Sequence, residues 1–151
     1  MLPDDVFRTK LQAATAAIHR VTERLGSAAD VQLKAEPSRL RLALAPRTHG
    51  ACPLELMIRA DQRYDIEIGT EFYEDCEISS FDELEALIEA ITQGNVVTRH
   101  YFSAATGSLR SVETVVTLGD REWRRGHQVG RSPSALTETV VKDRTFLPYS
   151  R

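Results

Sequence analysis

The sequence predicts an α+β domain in which a predominantly antiparallel sheet of about eight strands is packed by an N-terminal helix and a central helix. Two segments have apolar residues at helical steps of three and four, and the segments between and after them alternate apolar with polar residues. Turn residues recur at intervals of about ten residues in the last third of the chain. With 151 residues, 42% of them hydrophobic, one core is expected, so residues 1–151 are taken as a single domain.

The first helix is predicted by an apolar stripe that starts at Phe7 and ends at Leu25. Pro3 marks its start and Gly26 its end. The stripe follows the strict spacing of a coiled-coil seam, so it could pack on the sheet or pair with a second copy of the chain. About three heptads are short for a coiled coil, which favours packing on the sheet. The stripe residues are Phe7, Leu11, Ala14, Ile18, Val21 and Leu25.

Five strands are predicted between the two helices. Residues 31–35 and 39–44 alternate apolar with polar residues around the turn Glu36-Pro37-Ser38, which predicts a hairpin. Residues 54–58 and 64–68 continue the alternation, and Gly69-Thr70 turns the chain into a strand from Glu71 to Ile78. In residues 64–68 the apolar side chains alternate with acids, so this strand should have one apolar and one acidic face.

The central helix is predicted most firmly. Ser80 with Glu83 forms a capping-box pattern, and Gly94 supplies a left-handed cap at the end. Between them the apolar residues repeat at helical spacing, namely Phe81, Leu84, Leu87, Ile88 and Ile91.

Three further strands are predicted after the central helix, at residues 96–104, 109–118 and 121–128. Beyond Val129 the periodicity weakens, and residues 130–151 form a candidate docking tail. No internal repeat or low-complexity stretch divides the chain.

Charge is unevenly distributed along the chain. Residues 55–91 contain twelve acidic residues and two arginines, a local charge of −10, although the whole chain carries only −3, so the flanking segments together sum to +7. Opposite charges on one molecule favour self-association and steer partners. We therefore expect a homodimer or a protein partner.

The amino-terminal residues, the absence of a long apolar run and the cysteines predict a cytoplasmic location without a membrane segment. The first five residues include two acids and no basic run, unlike a signal peptide, and no apolar run approaches the roughly 18 residues of a membrane span. Cys52 and Cys76, without a secretory signal, are expected to be reduced thiols.

No motif predicts a catalytic site, a metal site or a cofactor. His49 and Cys52 have a spacing a metal could use, but no second pair of ligands accompanies them. Cys76 lies among acids, which disfavour a thiolate, and no phosphate-binding glycine pattern occurs. The carboxylates from Glu67 to Glu77 are best interpreted as a solvated face.

The candidate binding residues are aromatic and basic residues of the last three strands. Interleaved aromatics and arginines suit single-stranded nucleic acid, yet a pI near 5.8 makes nucleic acid an unlikely partner. The same residue types serve as anchors of protein interfaces. We select five candidates for a binding surface: His100, Tyr101, Trp123, Arg124 and Arg125.

Two interpretations of Trp123 stay open at this stage. It could lie on a binding surface, or it could be a core aromatic covered by arginine stems. On a strand, Arg124 must point away from the tryptophan, and Arg121 and Arg125 must share its side.

The sequence thus favours a non-catalytic binding or assembly domain that acts through a protein partner or its own copy. The alternative is a small-molecule-binding protein or an enzyme with a pocket between the sheet and the helices.

Overall fold

The computed structural model describes residues 1–129 and 138–150 and contains, within them, two helices and nine strands in two antiparallel sheets. The helices are α1 (Asp4–Leu25) and α2 (Phe81–Thr92), and a short 3-10 turn, Gly26–Ala28, follows α1. Sheet 1 contains β1 (Ala29–Glu36), β2 (Arg39–Pro46), β3 (Leu54–Ile58), β4 (Arg63–Ile68) and β5 (Glu71–Glu77), in that order. Sheet 2 contains β6 (Val96–Ser103), β7 (Leu109–Leu118), β8 (Arg121–Gln128) and β9 (Thr139–Thr145), in the order β8-β7-β6-β9.

The predicted α+β class is confirmed, with two differences in the sheet. The strands form two sheets rather than one, because α2 follows β5 and the next strand, β6, pairs with β7 and β9 instead of β5. The ninth strand, β9, was not predicted. All seven of its residues are exposed, so it lacks the apolar alternation by which a strand is found in a sequence.

Sheet 1 forms the largest part of the core. Its antiparallel register aligns the apolar residues of neighbouring strands on one face, for example Leu42 with Leu56 and Leu56 with Ile66. On this inner face the buried residues of β2 to β5 are Leu40, Leu42, Leu44, Leu54, Leu56, Ile58, Tyr64, Ile66, Ile68, Tyr73 and Cys76.

Helix α1 packs within the chain. It contacts α2, β1 and β2, and its stripe from Phe7 to Val21 is buried in the common core. The helix begins after Pro3 and ends before Gly26, as predicted. Because the stripe is covered by the chain itself, it does not form a seam for a second copy.

Helix α2 has the predicted cap and the predicted buried face. The Ser80 Oγ accepts a hydrogen bond from the Glu83 amide at 3.0 Å, and the side chains from Leu84 to Ile91 on one face are buried. Gly94 after the helix has a φ of 81°, and a Cβ there would lie 2.9 Å from the Pro148 nitrogen. The position therefore requires glycine for both conformation and space.

The chain returns to the core after β9, at residues 146–149. The Leu147 amide donates to the Gly50 carbonyl at 3.0 Å, and the Tyr149 amide donates to the Thr92 carbonyl at 2.8 Å. Phe146 and Tyr149 are buried. This part of the candidate docking tail is therefore docked on its own chain, whereas residues 130–137 and 151 lie outside the described residues.

Candidate interaction surface

The five candidate binding residues of sheet 2 do not share one surface. Alternate residues of β6 and β8 point to opposite faces, so His100 and Arg125 lie on the inner face and Tyr101 and Arg124 lie on the outer face. Trp123 lies on the inner face and is buried. Tyr101 and Arg124 therefore share the outer face, and His100, Trp123 and Arg125 share the inner face.

Trp123 belongs to the contact between the two sheets. Its side chain is 3% exposed, and its Nε1 donates to the Tyr64 hydroxyl at 3.0 Å. Tyr73 contacts it edge to face with a centroid distance of 5.9 Å, and the Arg125 guanidinium lies 5.0 Å from the ring centroid. Trp123 is therefore a core aromatic covered by an arginine, which is the second of the two interpretations given above.

Further polar contacts join the inner faces at the same place. The hydroxyls of Tyr73 and Thr114 are 2.7 Å apart and buried, and the His127 Nε2 lies 3.3 Å from the Glu71 Oε2. These contacts link β5 to β7 and β8, so they hold the edge of sheet 1 against sheet 2.

His100 stacks on Phe102, with a centroid distance of 6.3 Å and an interplanar angle of 22°. Both rings are half-buried, and the Lys142 ammonium lies 5.4 Å from the Phe102 centroid. This cluster lies on the inner side of β6, apart from Tyr101 and Arg124.

The charges on the outer face of sheet 2 are paired. Arg124 lies 2.6 Å from the Glu122 carboxylate and 3.1 Å from that of Glu113, and Arg99 lies 3.4 Å from Asp143. The hydrogen bond that Arg124 donates to the Glu122 carboxylate raises the pKa of Arg124. Arg124 is therefore already neutralised within the chain.

Both thiols of the chain are buried. Burial raises the pKa of the Cys52 thiol to about 12. Burial also raises the pKa of Cys76, although a hydrogen bond with Arg125 acts in the opposite direction. His49 is exposed whereas Cys52 is buried, and among the described residues no group of three or more acidic, histidine or cysteine side chains could hold a metal ion.

An open groove of about 890 Å³ runs beside α1. Phe7, Ala14 and Phe81 contribute apolar surface, and Lys10 and Glu85 are among its charged residues. Asp61, also in the groove, is bound by Arg59, which lowers the pKa of its carboxyl. The groove lies between α1, the β3–β4 turn and the start of α2.

The outer face of sheet 1 differs from these sites because like charges lie opposite each other on it. Glu55 of β3 lies directly opposite Glu67 of β4, and Lys34 of β1 lies directly opposite Arg41 of β2. Within residues 1–129 and 138–150, none of these four side chains has an ion pair. Like charges placed directly opposite each other destabilise a sheet.

Two large apolar side chains are exposed beside these charges. Met57 is 43% exposed on β3, and Phe72 is 54% exposed on β5, opposite Glu67 in the strand register. We call this surface the open face. It consists of Lys34, Arg41, Glu55, Met57, Glu67 and Phe72.

The sequence did not reveal the open face as a site. The alternation of residues 64–68 predicted an acidic face for β4, but the charge of the facing residue depends on cross-strand register. Ion pairs form readily at one end of the same sheet, where Arg59 contacts Asp65 at 3.1 Å and Asp75 at 2.6 Å.

No protein-family model matches the chain, and neither the curated proteins nor the solved structures gave a match. Neither of the two described helices is long and apolar enough to cross a membrane.

Proposed function

We propose that this chain is a non-catalytic protein-interaction domain whose contact surface is the open face of sheet 1. The observation that carries the proposal is the pair of like-charged cross-strand contacts, Glu55 with Glu67 and Lys34 with Arg41. Each such contact costs the isolated chain about 0.2–1 kcal/mol. A partner that brings opposite charges offsets this cost, so the same residues that weaken the free sheet favour the complex.

The exposed apolar side chains support the same assignment. Met57 lies in the middle strand, and Phe72 lies on the edge strand beside Glu67. A binding surface combines such apolar contacts with polar residues that set its specificity. Here the two kinds of residue share one face that no described helix covers.

The thiols and the histidines give less support to an enzyme. A thiol with a raised pKa is a poor nucleophile at neutral pH. The Nε2 of His127 contacts Glu71 rather than a serine or cysteine side chain. The paired arginine on the outer face of sheet 2 likewise offers less to a partner than the open face does.

A second candidate function is small-molecule binding in the groove beside α1. Its volume of about 890 Å³ falls in the range of ligand pockets, and Phe7 and Phe81 give it apolar surface. None of the residues that line the groove belongs to the open face, so substitutions distinguish the two candidates.

Site-specific photocrosslinking tests the open face. A photoreactive phenylalanine analogue replaces Phe72 in one variant and Thr117 in another, since Thr117 is exposed on the outer face of sheet 2. In cells that produce the chain naturally, position 72 should give a discrete crosslinked product and position 117 should not.

The crosslink must also depend on charge. Adding E55K and E67K should abolish the product at position 72, whereas E23K on the exposed side of α1 should leave it intact. Equal products at both positions, or a product that survives the double substitution, would contradict the proposal.

A further inference from the structure

We infer that the partner of the open face is a second copy of this chain. This inference rests on the proposed function and names its partner. The open face carries two basic side chains on β1 and β2 and two acidic side chains on β3 and β4. All four lie on the same face, with the basic pair separated from the acidic pair across the strands. A surface with equal and separated charges is complementary to itself, as an isologous dimer requires.

The strand positions allow the two charged pairs to meet. The Lys34 and Arg41 pair lies on β1 and β2, and the Glu55 and Glu67 pair lies on β3 and β4. The second pair is displaced from the first by two residues along the strands. With strands about 4.8 Å apart and about 3.4 Å per residue, the centres of the two pairs are about 12 Å apart. Long side chains reach across the remaining offset when two such faces stack.

A two-fold axis in the plane between the two faces produces this arrangement. If it passes near Met57, Lys34 and Arg41 of one copy lie over Glu55 and Glu67 of the other, and the reverse contact forms at the same time. The two copies of Met57 then meet near the axis. Each pair of like charges within one copy then faces a pair of opposite charges on the other copy.

The extent of the face predicts a reversible dimer. Five strands about 4.8 Å apart and about six residues long cover about 24 by 20 Å, or about 500 Å² on each copy. The total of about 1,000 Å² is at the lower end of specific interfaces. Exposed charges are also screened by salt, so the dimer should weaken as ionic strength rises.

The interface does not require α1. The apolar stripe of α1 is buried within the chain, so it does not contact a second copy. The proposed dimer contact lies on sheet 1 instead. The groove beside α1 also stays open, since its residues lie outside the open face.

A charge-swap experiment tests this pairing. One variant carries K34E and R41E, and the other carries E55K and E67K. Both keep like charges within each cross-strand contact, so the repulsion within each contact is unchanged, and thermal denaturation should show that both variants fold. In sedimentation equilibrium at low salt, each variant alone should dimerise at least about tenfold more weakly than the parent chain, which corresponds to about 1.4 kcal/mol.

Mixing the two variants should restore a one-to-one dimer, because each presents the charges that the other now lacks. A matched control is K10E with R20E, which makes the same change of charge on exposed α1 residues and should leave the dimer unchanged.

A parent chain that is monomeric at low salt, or a mixture that forms no heterodimer, would overturn the second copy as partner. In that case a charge-dependent crosslink from position 72 to a different protein would leave the proposed function standing. Absence of both results would remove both proposals.

Discussion

The outer faces of the two sheets are built from the same antiparallel alternation but arrange their charges in opposite ways. In sheet 2, one row across the strands reads Asp143, Arg99, Glu113, so opposite charges are neighbours. In sheet 1, the corresponding contacts join Glu55 to Glu67 and Lys34 to Arg41. The charge pattern of a sheet therefore depends on register as well as composition.

The inner faces differ as well. The inner face of sheet 1 is aliphatic in its central strands, whereas sheet 2 buries Thr98, Thr114 and Trp123 on the same side. The two faces meet through hydrogen bonds that involve tyrosines of sheet 1: Trp123 donates to the Tyr64 hydroxyl, and the hydroxyls of Tyr73 and Thr114 are bonded to each other. On the outer faces, Arg99 and Arg124 of sheet 2 lie close to acidic side chains, whereas like charges lie opposite each other in sheet 1.

The largest expected effect comes from the centre of sheet 1. Leu56 is 1% exposed and Met57, the next residue, is 43% exposed. Leu56→Ala should lower the free energy of unfolding by about 2–5 kcal/mol in chemical denaturation, since it leaves a cavity. Met57→Ala should change it by less than about 0.5 kcal/mol. Similar losses for the two variants would show that the two faces of β3 are not divided into core and surface.

A smaller effect is expected at the contact between the sheets. Tyr64→Phe leaves the buried Trp123 Nε1 without its acceptor, which should cost about 1–3 kcal/mol. Tyr101→Phe on the outer face of sheet 2 serves as the control. If the two variants unfold at the same denaturant concentration, the buried hydrogen bond between the sheets does not stabilise the fold.

The smallest effects compare the two outer faces directly. Glu67→Gln removes a like-charge repulsion and should raise the free energy of unfolding by about 0.2–1 kcal/mol. Glu113→Gln removes a partner of Arg124 and should lower it by a similar amount. Both are measured at low salt and at dilutions where the chain is monomeric, and both should shrink as salt is added. If the two substitutions changed the free energy of unfolding in the same direction, the two outer faces would not differ in how their charges interact.

Local signals in the sequence predicted the elements they control. The Ser80 cap, the apolar spacing up to Ile91 and the positive φ of Gly94 all concern residues within a few positions of one another, and all three are present. The first helix and the first eight strands followed the same kind of signal. Strand β9 did not, because an exposed edge strand is held by backbone pairing with β6 and needs no apolar pattern of its own.

The candidate binding residues show what the alternation of residues along one strand cannot predict. Residue alternation alone separated Arg124 from Trp123 and placed Arg125 on the side of the tryptophan. It could not decide that Trp123 is buried, because the covering residues Tyr64 and Tyr73 come from a different sheet.

The sequence by itself determined the α+β class, both helices, the inward and outward positions along most strands, and the segregation of charge along the chain. Only the tertiary structure decided which charges face one another. Glu55 and Glu67 are twelve residues apart in the chain, and Lys34 and Arg41 are seven apart, yet each pair is adjacent in the sheet. Whether such neighbours attract or repel depends on strand register, which is set by the packing of the buried face, since a slip of one residue would turn the apolar side chains out to solvent.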